Sequence, residues 1–157
     1  LVGSEMCIRD RNYIQRKLMD INYHIYGSNK YLEKHGMPKS INDLSKHNFI
    51  SFGRGAPSPV FNPDWALKLG IKDNKKRKPV MKVNSVMGLL LAVESGVGLA
   101  ALPDYLVSLS RNVIKVLPSV EGPITEAHFV FPESLKNVAR VTTFRNFLYS
   151  KISEFKS

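Results

Sequence analysis

The sequence predicts an α/β protein with parallel strands, and three observations carry that expectation. From Lys82 to Tyr105 the order is strand, helix, glycine turn, strand, the βαβ unit that builds parallel sheets. Short apolar runs of strand length recur on both sides of it, with capped helical turns between them. The chain then closes on a long stretch of helical periodicity.

Within the first of these, KVNSVMGLLLAVESGVGLAALPDY, Ser85 can accept a hydrogen bond from a free backbone N–H one turn on, which makes it a helix cap. Val86, Leu89, Leu90 and Val93 follow at i, i+3, i+4 and i+7 as one apolar stripe, and Gly96 ends the helix. Leu99 to Leu102 reads as a buried strand; Pro103 stops it and opens a helical turn with Asp104 at its positive end. Nearer the start, one or two strands are expected over Tyr13 to Leu18 and onward through Ile21, Tyr23 and Ile25 on one face, with Asn22 and His24 on the other. Gly27 and Ser28 cap a short helix, Asn29 to His35, with Tyr31 and Leu32 inward, and Gly36 and Pro38 stop it.

Ser40 and Asp43 have the spacing of a capping box, so a second short helix with Ile41 and Leu44 buried is expected, closed by His47 and followed by a strand Asn48 to Phe52. The irregular segment GRGAPSPVFNPDW reads as an ordered loop and then a short helix around Trp65 to Leu69, before a strand Val80 to Val83. After Pro103 come a helix from Asp104 to about Leu109, strands Val113 to Leu117 and Ala127 to Phe131, and a final helix Asn137 to Phe155. That helix aligns Val141, Phe144, Leu148, Ile152 and Phe155 on one face, a stripe that needs a partner surface.

Length and composition bound the function. At 157 residues and 43% hydrophobic the chain can bury the core of one domain or of two small lobes. Glu94 and Ser95 interrupt the longest apolar run before it reaches the roughly 18 residues of a spanning helix, so a soluble protein is expected. Cys7 is the only cysteine, which excludes an internal disulfide and thiolate metal clusters. The opening LVGSEMCIRDR has no signal-peptide core and resembles a translated sequencing adapter, so residues 1–11 are read as a non-native or disordered leader.

Few residues suggest catalysis. His24, His35, His47 and His128 are scattered, without the spacing that sets two ligands on one helix face, and each reads as a surface or capping residue. Gly53-Arg-Gly55 and Gly96-Val-Gly98 are not phosphate loops, and Ser85 has no base beside it in sequence, so an enzyme is disfavoured and no metal or other cofactor is implied. A binding architecture remains. In open α/β sheets ligands sit beyond the carboxyl ends of strands, where helix N-termini present free N–H groups. Ser85 stands at such an end, and the loop Gly53 to Phe61 follows another, so both could converge on one cleft and bring Arg54, Ser58 and Phe61 toward it. Arg54 would suit a carboxylate; the plainer alternative makes Ser85 only a cap and Arg54 a solvated charge. The basic run Lys72 to Lys78 has two readings, a phosphate-binding patch or a solvated turn, and it lacks aromatic residues for stacking bases.

Several ordered motifs, from about Asn12 to Lys156, carry a resemblance. They are GSNKYLEKHGMP, INDLSKHNFISF, Trp65, VNSVMGLLLAVESGVGLAALP and RVTTFRNFL. Together they resemble the effector-binding domain of LysR-type transcriptional regulators, whose patterns A-S-P-x-Y-L-x-x-x-G-x-P, D-L-x-x-H and G-x-G-[IL]-[AG]-x-L-P they follow. Gly27-Ser28-Asn29 replaces Ala-Ser-Pro, a departure that touches no binding residue. The resemblance implies a type 2 periplasmic-binding-protein-like fold: two Rossmann-like α/β lobes joined by two crossover strands, holding a small-molecule effector between them. On it, residues 12–26 are the crossover from the first lobe, 27–117 the second lobe, and 118–157 the return strand and C-terminal helix of a first lobe that is incomplete. Effector contacts are implied for the Gly53 to Phe61 loop, for Ser85 and Val86, and for the return strand at His128.

The same resemblance implies a cytoplasmic bacterial regulator. Its effector domains form dimers and tetramers, and it reaches operator DNA only through an upstream winged helix-turn-helix not visible before Tyr13. The chain is therefore expected to be a C-terminal fragment that binds no operator by itself. The implied mechanism is allosteric: effector-dependent closure changes the packing of dimers and hence the spacing of the DNA-binding heads. The alternative is a periplasmic solute-binding protein of the same fold. A third reading, a basic nucleic-acid-binding module, would rest on the Lys72 to Lys78 run.

Overall fold

The structure is a computed structural model that describes residues 12–53, 64–72 and 75–156, with residues 155 and 156 as backbone only. It divides into two compact units, one of the residues up to Ile21 together with those from Glu126, the other of Asn22–Thr125.

The expected pair of opening strands is one strand, β1, Tyr13–Ser28. Alternation alone does not reveal where a strand changes partners, and β1 does so along its length. Tyr23 to Tyr26 lie antiparallel to β4 (Ala100–Pro103), and Ile25 to Ser28 antiparallel to β5 (Val113–Val116). β2 (Ile50–Phe52) pairs in parallel with β3 (Met81–Val83). A parallel bridge from Phe49 to Leu99 joins these to β4, with the Ile50 N–H donating to Leu99 O and the Leu99 N–H to Asn48 O, each at 2.8 Å. The order across the second unit is thus β3-β2-β4-β1-β5, and the predicted βαβ crossover passes over β2. Gly98 permits the close approach, because a Cβ there would stand 2.6 Å from Asn48 O.

Local signals fix the helices. Ser28 Oγ accepts from the Tyr31 N–H at the start of α1, Asn29–His35, and Tyr31 and Leu32 are buried as expected. Ser40 and Asp43 form the predicted capping box, here on a 3₁₀ turn, Ile41–Lys46, that buries Leu44 but only half-buries Ile41. The turn α2, Trp65–Lys68, buries Trp65, Ala66 and Leu67. Helix α3, Val86–Glu94, places Leu89, Leu90 and Val93 in a core with Tyr26, Ile50, Ala100 and Leu102, with Val86 at its margin. The helix after Pro103, α4, is only Asp104–Val107. Ile25, Phe49 and Leu99 alternate to the other face of the sheet and are equally buried.

In the first unit, β6 (Ile124–Pro132) pairs with β1, and α5, Ala139–Lys156, follows. Phe129 meets Phe144 of α5 edge-on at 5.9 Å, and Tyr149 OH donates to Lys17 O. The stripe predicted on this helix is at best half-buried: Phe144 is 52% exposed. Phe155 is described only as backbone.

Candidate ligand site

Helix α3 carries the site. Its apolar stripe anchors it on β2 and β4, so that its N-terminus opens just past the carboxyl end of β3. Ser85, in extended conformation, caps it: Oγ accepts from the Gly88 N–H at 3.3 Å and the carbonyl from the Leu89 N–H at 2.9 Å. The N–H groups of Val86 and Met87 precede these and have no acceptor within the helix, so they point with the positive end of the helix dipole toward whatever lies beyond. Ser85 is exposed and Val86 half-buried. This end suits a carboxylate or another acceptor oxygen.

The other predicted contacts are distributed differently. Arg54, Ser58 and Phe61 lie outside the described residues. Gly53, just before them, donates its N–H to Val83 O at 2.8 Å, which ties the start of that segment to the end of β3 beside Ser85. His128 belongs to the first unit, on β6, where Nε2 stands 3.4 Å from Glu126 Oε2. Glu126 in turn accepts from Lys17 Nζ at 2.8 Å.

A polar cluster went unread in the sequence. Asp104 Oδ1 lies 2.8 Å from His24 Nδ1 and accepts from Tyr26 OH at 2.9 Å, while Oδ2 accepts from Lys115 Nζ at 3.2 Å. Partial burial alone would raise the Asp104 carboxyl, but the hydrogen bonds from His24, Tyr26 and Lys115 outweigh it and hold the group below the usual carboxylate range. An ionised carboxylate only accepts, so the His24 proton sits on Nδ1. His24 is therefore not the surface residue expected from sequence; its side chain is 12% exposed. Burial also pushes the Tyr26 hydroxyl up, aided by Asp104, and the Tyr23 hydroxyl up to about 12. The alternation of β1 had put His24 opposite Tyr23, but only the pairing with β4 and β5 brings Asp104 and Lys115 beside it.

Two histidines near α1 are structural. The ring of His35 stacks on Tyr31 at 4.4 Å, and His47 lies 5.8 Å from the same ring with Nδ1 buried and unpartnered. Burial lowers the His47 pKa below 6.5, with His35 adding to the effect. Among the described residues no group of three or more His, Cys, Asp or Glu is placed to hold a metal ion, and no helix is long and apolar enough to cross a membrane.

In α/β chains a helix N-terminus just past the carboxyl end of a strand is a place where ligands bind. The family profile of the LysR substrate binding domain matches residues 2–152, and the chain belongs to that family. It is 28% identical over 140 residues to an uncharacterized HTH-type transcriptional regulator of Haemophilus influenzae, covering 86% of this chain and 47% of that protein. It is 30% identical over 103 residues to the HTH-type transcriptional regulator CrgA of Neisseria meningitidis, covering 66% of this chain and 33% of that one. The chain thus spans half or less of the length of these curated relatives, which are named as regulators and not as solute-binding proteins.

Solved structures agree on the fold. The regulatory domain of CrgA superposes with a TM-score of 0.74 at 24% identity, covering 92% of this chain and 71% of that one. The effector domain of AmpR from Pseudomonas aeruginosa gives 0.62 at 14%, covering 91% and 67%. The expected type 2 periplasmic-binding-protein-like fold stands on these likenesses.

Proposed function

We propose that the chain is the sensing part of a cytoplasmic transcription regulator that binds a small molecule, in keeping with a small carboxylate, and performs no chemistry on it. The observation that carries this is the Ser85-capped end of α3 at the carboxyl edge of β3, in a chain of the LysR substrate-binding family. Ser85 and the N–H groups of Val86 and Met87 hold an acceptor oxygen of the effector. Arg54, Ser58 and Phe61 are assigned to the same ligand from their sequence position after β2, and His128 from the family resemblance. The regulator works as a dimer or tetramer and meets operator DNA through a separate N-terminal part. The effector acts only by favouring one arrangement of the regulator over another, so its affinities for the two must differ.

A thermal-shift screen of small carboxylates and amino acids on the full-length regulator tests this. At least one compound raises the melting temperature in a concentration-dependent way, because a ligand bound only to the folded state stabilises by mass action. A screen in which no small acid produces a shift contradicts the reading.

A further inference from the structure

Residues 68–82 carry seven lysines and arginines against one aspartate, six of the ten net positive charges of the chain. Two of the basic residues are consumed internally. Lys76 pairs with Asp64. Arg77 lays its guanidinium over the Phe49 ring and donates from Nη1 to carbonyls of α2 and of Leu69 just past it, closest to Leu69 O at 2.7 Å, while its own N–H donates to Leu67 O at 2.9 Å. That pinning sets Lys75 and Lys78, on either side of Arg77, outward from a segment fixed to the fold.

Lys82 continues the same face. It lies opposite Ser51 in the β2–β3 ladder, on the side of the sheet away from Val83 and α3, where Phe49 and Arg77 also lie. Lys68 ends α2, whose Ala66 and Leu67 carbonyls receive Arg77. Lys68, Lys75, Lys78 and Lys82 are all exposed, and the ion pairs found among the described residues involve none of them. Four exposed like charges repel one another, and a polyanion relieves that repulsion while releasing its counterions.

We propose that this ridge is a sequence-independent contact surface for the phosphate backbone of duplex DNA, separate from the Ser85 end of α3. The choice of DNA among polyanions rests on the regulator reading above, since such a protein works with its sensing domain tethered close to a duplex. The lack of aromatic side chains in the run favours a double strand over single-stranded nucleic acid, which is held by stacking.

The test compares the regulator carrying this chain with its K68Q/K75Q/K78Q/K82Q variant on a non-operator duplex over a salt series. A control variant, K30Q/K34Q/K39Q/R111Q, removes the same charge elsewhere in the unit. Each phosphate neutralised contributes about 0.9 to the slope of log affinity against log salt. The ridge variant loses about 2 to 4 of that slope while the control keeps it, and both melt like the parent. Equal losses in both variants, or no loss in either, overturn the ridge and leave the effector reading intact. A ridge variant that loses anionic phosphatidylserine vesicles but keeps DNA also overturns it. A parent that shows no salt-dependent DNA binding overturns the ridge and the regulator reading together, whereas an effector-induced thermal shift would still stand for the sensing site.

Discussion

Asp104 shows how much one carboxylate can organise. It accepts from three side chains that lie on two strands, so Asp104→Asn removes the charge and leaves Lys115 and His24 facing an amide. A loss of about 1 to 3 kcal/mol in denaturant melts is expected, with Lys115→Met much milder because it removes one partly exposed donor. The folded carboxyl is depressed, so its stabilisation is present above the ordinary carboxylate pKa and fades as pH falls through the lower folded value. His47 obeys the opposite chemistry with the same direction. Its ring stays neutral in the fold below 6.5 while the unfolded chain takes up a proton, so stability is lost as pH falls below that value. His47→Gln should flatten the melting profile as pH falls below 6.5, and an unchanged slope there would contradict the burial. None of this could be read from residue order. His24, Asp104 and Lys115 are far apart in sequence and meet only through strand pairing, whereas Ser28, Ser40 and Ser85 act within one turn of themselves and were legible for that reason.

Among the elements, α3 was the most readable, because cap, stripe and glycine stop all fall inside twelve consecutive residues, a span that local forces control. Its start, its buried face and its end at Gly96 match the structure. β1 was the least readable in extent, since its period of two is the same whether it pairs with β4, β5 or β6. The parallel approach of Asn48 to Gly98 was invisible too, although it joins the two halves of the sheet. Gly98→Ala puts a methyl against a backbone carbonyl that cannot rotate away. A destabilisation of about 1 to 3 kcal/mol follows, measured by urea unfolding, and a neutral substitution would mean the strands separate there.

At the scale of the whole chain, the two units differ in how they are held. The buried apolar side chains described belong to Asn22–Thr125, with Phe131 the exception. Backbone amides of β4 and the second half of β1 should therefore exchange with deuterium far more slowly than those of α5, whose Phe144 and Phe147 are half-exposed; equal protection would contradict this division. The family was legible because its motifs fall on caps, turns and the α3–β4 segment, while the contacts assigned to Arg54, Ser58 and Phe61 rest on the place of their loop after β2 and on resemblance, and that of His128 on resemblance. Effector binding depends most directly on the N-terminus of α3, and calorimetric titration of the full-length regulator with a carboxylate found by thermal shift tests it there. Glycine is a tolerated cap, so Ser85→Gly changes the fold by only a few tenths of a kcal/mol while deleting the hydroxyl. The predicted result is an affinity about tenfold weaker, or about 1.4 kcal/mol, at an unchanged melting temperature of the free protein. An affinity equal to that of the parent would contradict it.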